Sequence, residues 1–85
     1  MPMKYIVLRG AGAELPVIFP RDCYHSHVAD RFAPAQVVAA GFVHLTDGGP
    51  ECFGGSSSLR IPSRRDRDAR LIAGYIGTGR SSAGG

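Results

Sequence analysis

Ser63-Arg-Arg-Asp-Arg-Asp-Ala-Arg-Leu-Ile-Ala-Gly-Tyr-Ile-Gly77, in the C-terminal part of this 85-residue chain, predicts one complete helix. Ser63 is a favourable N-cap, and Asp66 completes a start signal in which an acidic side chain reaches back to the first turn. Gly77 can adopt the left-handed conformation that often ends a helix. Apolar residues at helical spacing predict its buried side, with two more at the border: Ala69, Ile72, Ala73 and Ile76, then Leu71 and Tyr75.

Half of the basic residues lie on or just before this helix. Five of the ten basic residues are found there: Arg60, Arg64, Arg65, Arg67 and Arg70. The chain has a formal net charge of +3, and residues 60–70 alone carry five Arg and two Asp, so the remainder is close to neutral. Charge that is concentrated in this way is more typical of a binding face than a high overall pI is.

Two interpretations of these arginines stay open. Arg64 and Asp68 lie four residues apart, as do Asp66 and Arg70, so both pairs can form within the helix at about 0.3–0.5 kcal/mol each. However, the helix dipole disfavours cations at the N-terminal end, where Arg64 and Arg65 stand. The sequence therefore predicts either a solvated helix face or a binding surface, since a planar guanidinium suits carboxylates and phosphates.

Strands are predicted before the first helix. Residues 4–9 are rich in β-branched and aromatic side chains, and residues 15–19 form a second apolar run after a glycine-bearing loop. Pro16 cannot donate to a strand ladder, which predicts that the second strand lies at a sheet edge or starts later. Residues 22–32 predict a short helix capped by Asp22, ending before Pro34.

The middle of the chain allows two interpretations. We favour a strand over residues 37–46 with a bulge at Gly41, although Pro34 leaves open a short helix through residues 38–40. Asp47-Gly-Gly-Pro50 is a strong turn signal, and residues 52–61 then predict a fourth strand.

These elements predict an α+β domain in the order ββαββα. Two hairpins would merge into a four-stranded, mostly antiparallel sheet with both helices on one face, a two-layer arrangement in which Val28 and Phe32 meet the closing helix. We expect one domain over residues 1–77 and a flexible C-terminal tail over residues 78–85. The edge strand over residues 15–19 would also allow a homodimer by sheet extension.

Composition and cysteine content predict a cytoplasmic protein without membrane contact. The chain is 44% hydrophobic and 20% charged, which is typical of globular domains. We expect no secretory leader and no spanning segment, because no apolar run is long enough for either. Cys23 and Cys52 are expected to be reduced, with a disulfide between them as the alternative.

Motifs for catalysis, metals and cofactors are weak. Cys23-x-His25-x-His27 places metal-capable side chains two residues apart, so on a helix they point in different directions. Gly54-Gly-Ser-Ser-Ser58 lacks the lysine of a phosphate-binding P-loop. We therefore expect no enzyme, cofactor or metal. A thiol- or metal-dependent enzyme at Cys23 and His25 is the least favoured hypothesis.

Several blocks between residues 4 and 76 resemble small uncharacterised proteins of phages and prophages. The blocks are His25-Ser-His-Val-Ala29, Ala40-Gly-Phe-Val-His44, Cys52-Phe-Gly-Gly-Ser-Ser-Ser-Leu-Arg60, Ser63-Arg and Asp68-Ala-Arg-Leu-Ile72. The resemblance implies a compact cytoplasmic accessory protein of a mobile element. Proteins of that origin, anti-CRISPR proteins among them, often inhibit a host macromolecule by covering it. The resemblance implies no site residue.

The sequence thus predicts a non-catalytic accessory or inhibitor protein that binds an acidic protein surface. The binding residues would be Arg60, Arg64, Arg65, Arg67 and Arg70. The alternative is a nucleic-acid-binding module in which the same arginines contact phosphates.

Overall fold

A four-stranded antiparallel sheet forms the centre of the structure, a computed structural model that describes the backbone of residues 2–84 and the side chains of residues 2–76. Its strands are β1 (Met3–Gly10), β2 (Ala13–Phe19), β3 (Gln36–Thr46) and β4 (Gly49–Phe53). The order in the sheet is β2-β1-β3-β4. Two short strands, β5 (Gly55–Ser56) and β6 (Ile61–Pro62), pair with each other, and the helices are α1 (His25–Arg31) and α2 (Asp66–Gly84). The predicted α+β class is confirmed.

The first hairpin agrees with the prediction. β1 and β2 are joined by Ala11 and Gly12, which both have positive φ, 54° and 78°. A two-residue turn of this kind matches the right-handed twist of the strands it connects. β2 lies at the edge of the sheet, as Pro16 predicted.

The ambiguous middle segment is a strand, and the helical alternative is wrong. The predicted bulge at Gly41 is also wrong, because the register between β3 and β1 shifts opposite Val7 and Leu8 instead. Gly41 has a different role. A Cβ atom at that position would lie 2.6 Å from the carbonyl oxygen of Phe53, so only glycine lets the neighbouring backbone approach this closely.

The predicted fourth strand over residues 52–61 is wrong. β4 ends at Phe53, and Gly54 follows with a φ of 72°, in the left-handed region that interrupts a strand. The chain then forms the small β5–β6 hairpin, whose loop contains Arg60 with a φ of 57°.

The two helices cover opposite faces of the sheet, which differs from the predicted arrangement. Ile72 of α2 packs in a cluster with Tyr5, whereas Val28 of α1 packs against the cluster that contains Ile6. Consecutive residues of a strand point to opposite faces. Because residues 5–8 are all buried, β1 has to be covered on both sides.

Helix α1 is shorter than predicted. It starts at His25, and its N-cap residue, Tyr24, makes no side-chain capping bond, so Asp22 is not the cap. The helix is held instead by His25, which is buried and whose Nε2 donates to the carbonyl oxygen of Gly41 at 2.9 Å. This bond joins α1 to β3.

Helix α2 differs from the prediction on its buried side. Ile72 is buried, but Ala73 and Ile76 are exposed and line an open hollow with Leu45 and Pro50 of the β3–β4 hairpin. Within the described residues, no helix is long and apolar enough to cross a membrane.

The C-terminal end of α2 lies beyond the predicted one. The helix continues past Gly77 to Gly84, so Gly77 does not terminate it. The tail predicted for residues 78–85 lies outside the residues whose side chains are described, and it stays a prediction.

Candidate interaction surface

Arg64 is part of the interior rather than of an open surface. Only 18% of its side chain is exposed. Its Nη1 and Nη2 donate to the two carboxylate oxygens of Glu14 at 3.0 and 2.9 Å, and its Nε donates to Asp68 at 2.7 Å. The guanidinium therefore ties β2 to α2. Arg64 therefore does not lie on the exposed helix side where the sequence placed it, whereas its predicted pairing with Asp68 is confirmed. Contact between Arg64 and a partner stays a prediction.

Asp68 explains why an arginine stands at this helix end. The carboxylate is fully buried and accepts hydrogen bonds from Tyr5 Oη at 2.5 Å and from the backbone N–H of Arg64 at 2.8 Å. A buried carboxylate is strongly unfavourable unless it is paired and hydrogen-bonded. Burial, together with the hydrogen bond to Asp68, raises the pKa of Tyr5 far above its ordinary value. The hydrogen-bonded group of Tyr5, Arg64 and Asp68 therefore stabilises the fold.

The residues just before α2 form different hydrogen bonds from the predicted ones. Ser63 Oγ accepts the backbone N–H of Arg65 at 2.9 Å, but the acidic partner that returns to the turn is Asp68 rather than Asp66. Arg65 has a φ of 49°, outside the helical region, so α2 begins at Asp66. Because α2 starts three residues after Ser63, the predicted N-cap at Ser63 and its pairing with Asp66 are both wrong.

Glu14 forms ion pairs with three arginines, two of which lie far from it in the chain. Besides the pair of bonds from Arg64, its Oε2 lies 3.2 Å from Nη2 of Arg9 and 3.5 Å from Nη2 of Arg67. The hydrogen bonds from Arg64, with smaller effects of Arg9 and Arg67, lower the pKa of Glu14 to about 2. Since Arg64 already uses both oxygens, Arg9 and Arg67 are only weakly neutralised.

The other predicted site residues remain on the surface. Arg60, Arg65 and Arg70 are exposed, and none of them forms an ion pair with a residue that the structure describes. The predicted pair between Asp66 and Arg70 is likewise not among the described ion pairs. Arg60 lies in the β5–β6 loop, apart from α2 in the chain, and no described contact joins it to the arginines of the helix.

Tyr75 extends the exposed side of α2 towards β2. Its ring is 47% exposed, and its Oη donates to the backbone oxygen of Glu14 at 3.3 Å. Arginine and tyrosine are the residue types most enriched where protein interfaces gain their binding energy. We call the following set the arginine face: Arg9, Arg65, Arg67, Arg70 and Tyr75.

Sequence reasoning missed the residues outside the helix. Arg9 and Glu14 belong to the first hairpin, and Glu14 is 53 residues from Arg67. No local pattern reveals such a contact. The only available signal was that Glu14 and Arg9 flank a short turn and must lie near each other.

The cysteines and histidines do not form a reactive centre in the described part of the chain. Cys23 is exposed, Cys52 is half-buried, and both are free thiols. Burial raises the pKa of the Cys52 thiol to about 11, which keeps it protonated and unreactive at neutral pH. The described residues contain no group of three or more His, Cys, Asp or Glu side chains placed to hold a metal ion.

Contacts with Glu14 bring Arg9, Arg67 and Tyr75 of the arginine face together, and Arg70 lies beside Tyr75. Arg65 is included as an exposed arginine next to the start of α2. Comparison with known proteins adds no site residue, since no protein-family model matches the chain and no match is found among curated proteins or solved structures.

Proposed function

We propose that the chain is a non-catalytic interaction protein that binds an acidic protein surface through the arginine face. The observation that carries this proposal is the unneutralised charge on α2. Arg65 and Arg70 have no ion pair among the described residues, and Arg67 reaches only an oxygen that Arg64 already occupies. Each guanidinium can donate two parallel hydrogen bonds to a carboxylate.

The resemblance to phage and prophage proteins is compatible with this role. An accessory or inhibitor protein that acts by covering a host macromolecule needs a recognition surface and no catalytic group. The arginine face supplies the first, and its residues are presented by a helix and a hairpin that the fold holds together. The proposed role is therefore that of a small inhibitor or accessory protein.

An acidic protein suits this face better than a nucleic acid does. The exposed Asp66 stands between Arg65 and Arg67, and the Glu14 carboxylate lies against Arg67. Asp66 and Glu14 reduce the net positive charge of the face. This weakens binding to a continuous row of phosphates, which gains affinity with each phosphate neutralised, more than binding to a few carboxylates. Tyr75 adds an exposed ring, which a protein partner can bury.

Charge reversal at two surface arginines tests the proposal. We compare Arg65→Glu/Arg70→Glu with the matched control Arg21→Glu/Arg31→Glu, which changes the charge equally at exposed positions outside the arginine face. Arg64 is left unchanged because its replacement would disturb the fold. Each immobilised variant is incubated with nuclease-treated lysate of the cells that express the chain, and bound proteins are quantified by mass spectrometry.

We expect the wild type and the control to capture an acidic protein. The Arg65→Glu/Arg70→Glu variant should not capture it. Equal capture by the two variants would contradict the proposal. Capture that occurs only from a parallel lysate without nuclease, together with steeply salt-dependent binding to DNA or RNA, would show the nucleic-acid alternative instead. In that case the salt slope should fall by about one unit for each phosphate-contacting arginine removed.

A further inference from the structure

We propose that Arg9 and Arg67 together bind one carboxylate of the acidic partner, and that the hollow beside Arg9 receives an aliphatic side chain next to that carboxylate. We call this pair of arginines the carboxylate clamp. The inference rests on the proposed function and names the contact at its centre.

The geometry of the clamp comes from two elements that meet at one atom. Arg9 extends from β1 and Arg67 from α2, and a terminal nitrogen of each lies within 3.5 Å of Glu14 Oε2. A guanidinium has five N–H donors in a planar fork. Each of these two uses a single Nη2 on Glu14, and 49% of the Arg9 side chain and 61% of the Arg67 side chain are exposed. Most donors of both groups are therefore available to a ligand.

The charge balance around Glu14 favours a second carboxylate. Three guanidiniums, those of Arg9, Arg64 and Arg67, surround Glu14, and Arg64 also pairs with the buried Asp68. Three positive charges thus face two negative ones. The excess lies at Arg9 and Arg67, because Arg64 is held at shorter distances by both carboxylates. A carboxylate from a partner would neutralise this excess and accept hydrogen bonds from two directions.

An apolar hollow adjoins the clamp. It has a volume of about 230 Å³ and is lined by Leu15, Ala35 and Tyr75 beside Arg9. Leu15 and Tyr75 are 44% and 47% exposed, so a side chain that enters the hollow removes apolar surface from water. The preferred partner segment therefore carries an acidic residue directly beside an aliphatic one.

Two short peptides test this prediction. The first is an acetylated and amidated peptide with the central pair Glu-Leu between Gly and Ser residues, and the second has Gln-Leu in its place. Binding is followed by NMR titration of ¹⁵N-labelled protein, using the side-chain Nε–Hε signals of Arg9 and Arg67 and the backbone amides of Leu15 and Tyr75. The variants are Arg9→Gln and Arg67→Gln, and the matched control is Arg31→Gln.

We expect the Glu-Leu peptide to shift the signals of the clamp and the hollow, and the Gln-Leu peptide to shift them far less. Arg9→Gln and Arg67→Gln should each raise the dissociation constant about tenfold, whereas Arg31→Gln should leave it unchanged. Arg9→Lys, which keeps the charge but lacks the planar fork, should also bind more weakly than the wild type.

Three results would overturn the inference. One is equal peptide affinity in Arg9→Gln and in Arg31→Gln. Another is a set of shifts at Arg65 and Arg70 without any at Arg9. The third is a larger response of the clamp to inorganic phosphate than to the Glu-Leu peptide at the same ionic strength. All three leave the proposed function standing, because that is decided by capture of the partner with the Arg65→Glu/Arg70→Glu variant.

Discussion

Arg64 stands at the N-terminal end of a helix, where the helix dipole disfavours positive charge by a few tenths of a kcal/mol or more. The buried carboxylate of Asp68 outweighs this effect. An unpaired buried charge destabilises a fold by several kcal/mol, which is more than the unfavourable effect of the dipole. A cation beside Asp68 is therefore stabilising overall. The apparent anomaly in the sequence is thus resolved by a contact inside the fold, and only Arg65 is left without a structural explanation.

Removal of the Arg64 side chain should destabilise the fold much more than removal of a neighbouring one. Arg64→Ala leaves the buried Asp68 without its cationic partner and Glu14 without its shortest ion pair. We expect a loss of about 3 kcal/mol in the free energy of unfolding. Arg65→Ala should change it by less than about 0.5 kcal/mol, because Arg65 is exposed and unpaired among the described residues. Urea denaturation of the two variants measures both values. Similar losses in the two would show that the ion pairs of Arg64 do not hold α2 to β2.

At the scale of elements, the sequence predicted the strands that have simple local signals. The first hairpin and β3 follow from β-branched runs and glycine turns. The arrangement of the helices was also accessible, since Tyr5-Ile-Val-Leu8 contains no polar alternation and so indicates burial on both faces. The end of β4 could not be predicted from the sequence, because a glycine such as Gly54 is compatible with either a bulge or a break. The difference depends on the packing of Phe53 against Gly41.

Each edge strand of the sheet has a proline whose backbone nitrogen is directed away from the neighbouring strand. The backbone oxygen of Glu14 accepts a bond from Tyr75, so residue 14 directs its polar groups away from β1, and by alternation so does Pro16. On β4, Thr46 and Gly49 form the hydrogen-bonded pair that closes a two-residue turn. The next pair, Leu45 with Pro50, is therefore not hydrogen-bonded, and the nitrogen of Pro50, which carries no hydrogen, is directed to the outer edge. An added strand would lack a donor at either edge.

Sheet extension is therefore disfavoured, and we expect a monomer in solution. This replaces the homodimer that the edge strand allowed at the sequence level. Pro16→Val should restore the outward donor at the β2 edge and increase self-association. Sedimentation velocity at rising protein concentration compares the wild type with Pro16→Val and with Val17→Thr, a control at the next position. A stable wild-type dimer would contradict the role assigned to the two prolines.

At the scale of the whole molecule, the charge pattern identified the basic region but could not predict which of its arginines are exposed. Counting arginines identified residues 60–70 correctly as the basic region, because composition is local information. Which arginine is interior depends on Glu14, far away in the chain, and on a buried Asp68. Charge density in the sequence predicts neither contact, so Arg64 was placed on the surface and Arg9 was missed.

The two halves of the core share the central strands β1 and β3. Tyr5 and Val7 belong to the cluster under α2, whereas Ile6 and Leu8 belong to the cluster under α1. Loss of either helix exposes one side of β1 and weakens its pairing with both neighbouring strands. We therefore expect the two faces to unfold together, as is usual for domains of this size.

Protonation of His25 should destabilise the whole molecule through this coupling. Burial lowers the pKa of His25 below its ordinary value of 6.5, partly opposed by the bond to Gly41 and assisted by the charge of Lys4. Because the unfolded chain takes up the proton more readily, the stability from a neutral His25 is complete above about pH 6.5. It declines as the pH falls towards the lower pKa of the folded state, by at most about 1.4 kcal/mol per pH unit.

Urea denaturation between pH 8 and pH 5 measures this decline. The wild type should show one urea transition at each pH, and its midpoint urea concentration should decrease as the pH is lowered below about 6.5. The native NMR signals of Val28 and Ile72 should disappear together in this transition. His25→Gln, which retains a donor for Gly41 but does not titrate here, should lose most of this dependence, while His27→Gln should keep it. A transition at Val28 that precedes the one at Ile72 would instead show that α1 leaves the sheet by itself, and that β1 does not couple the two faces.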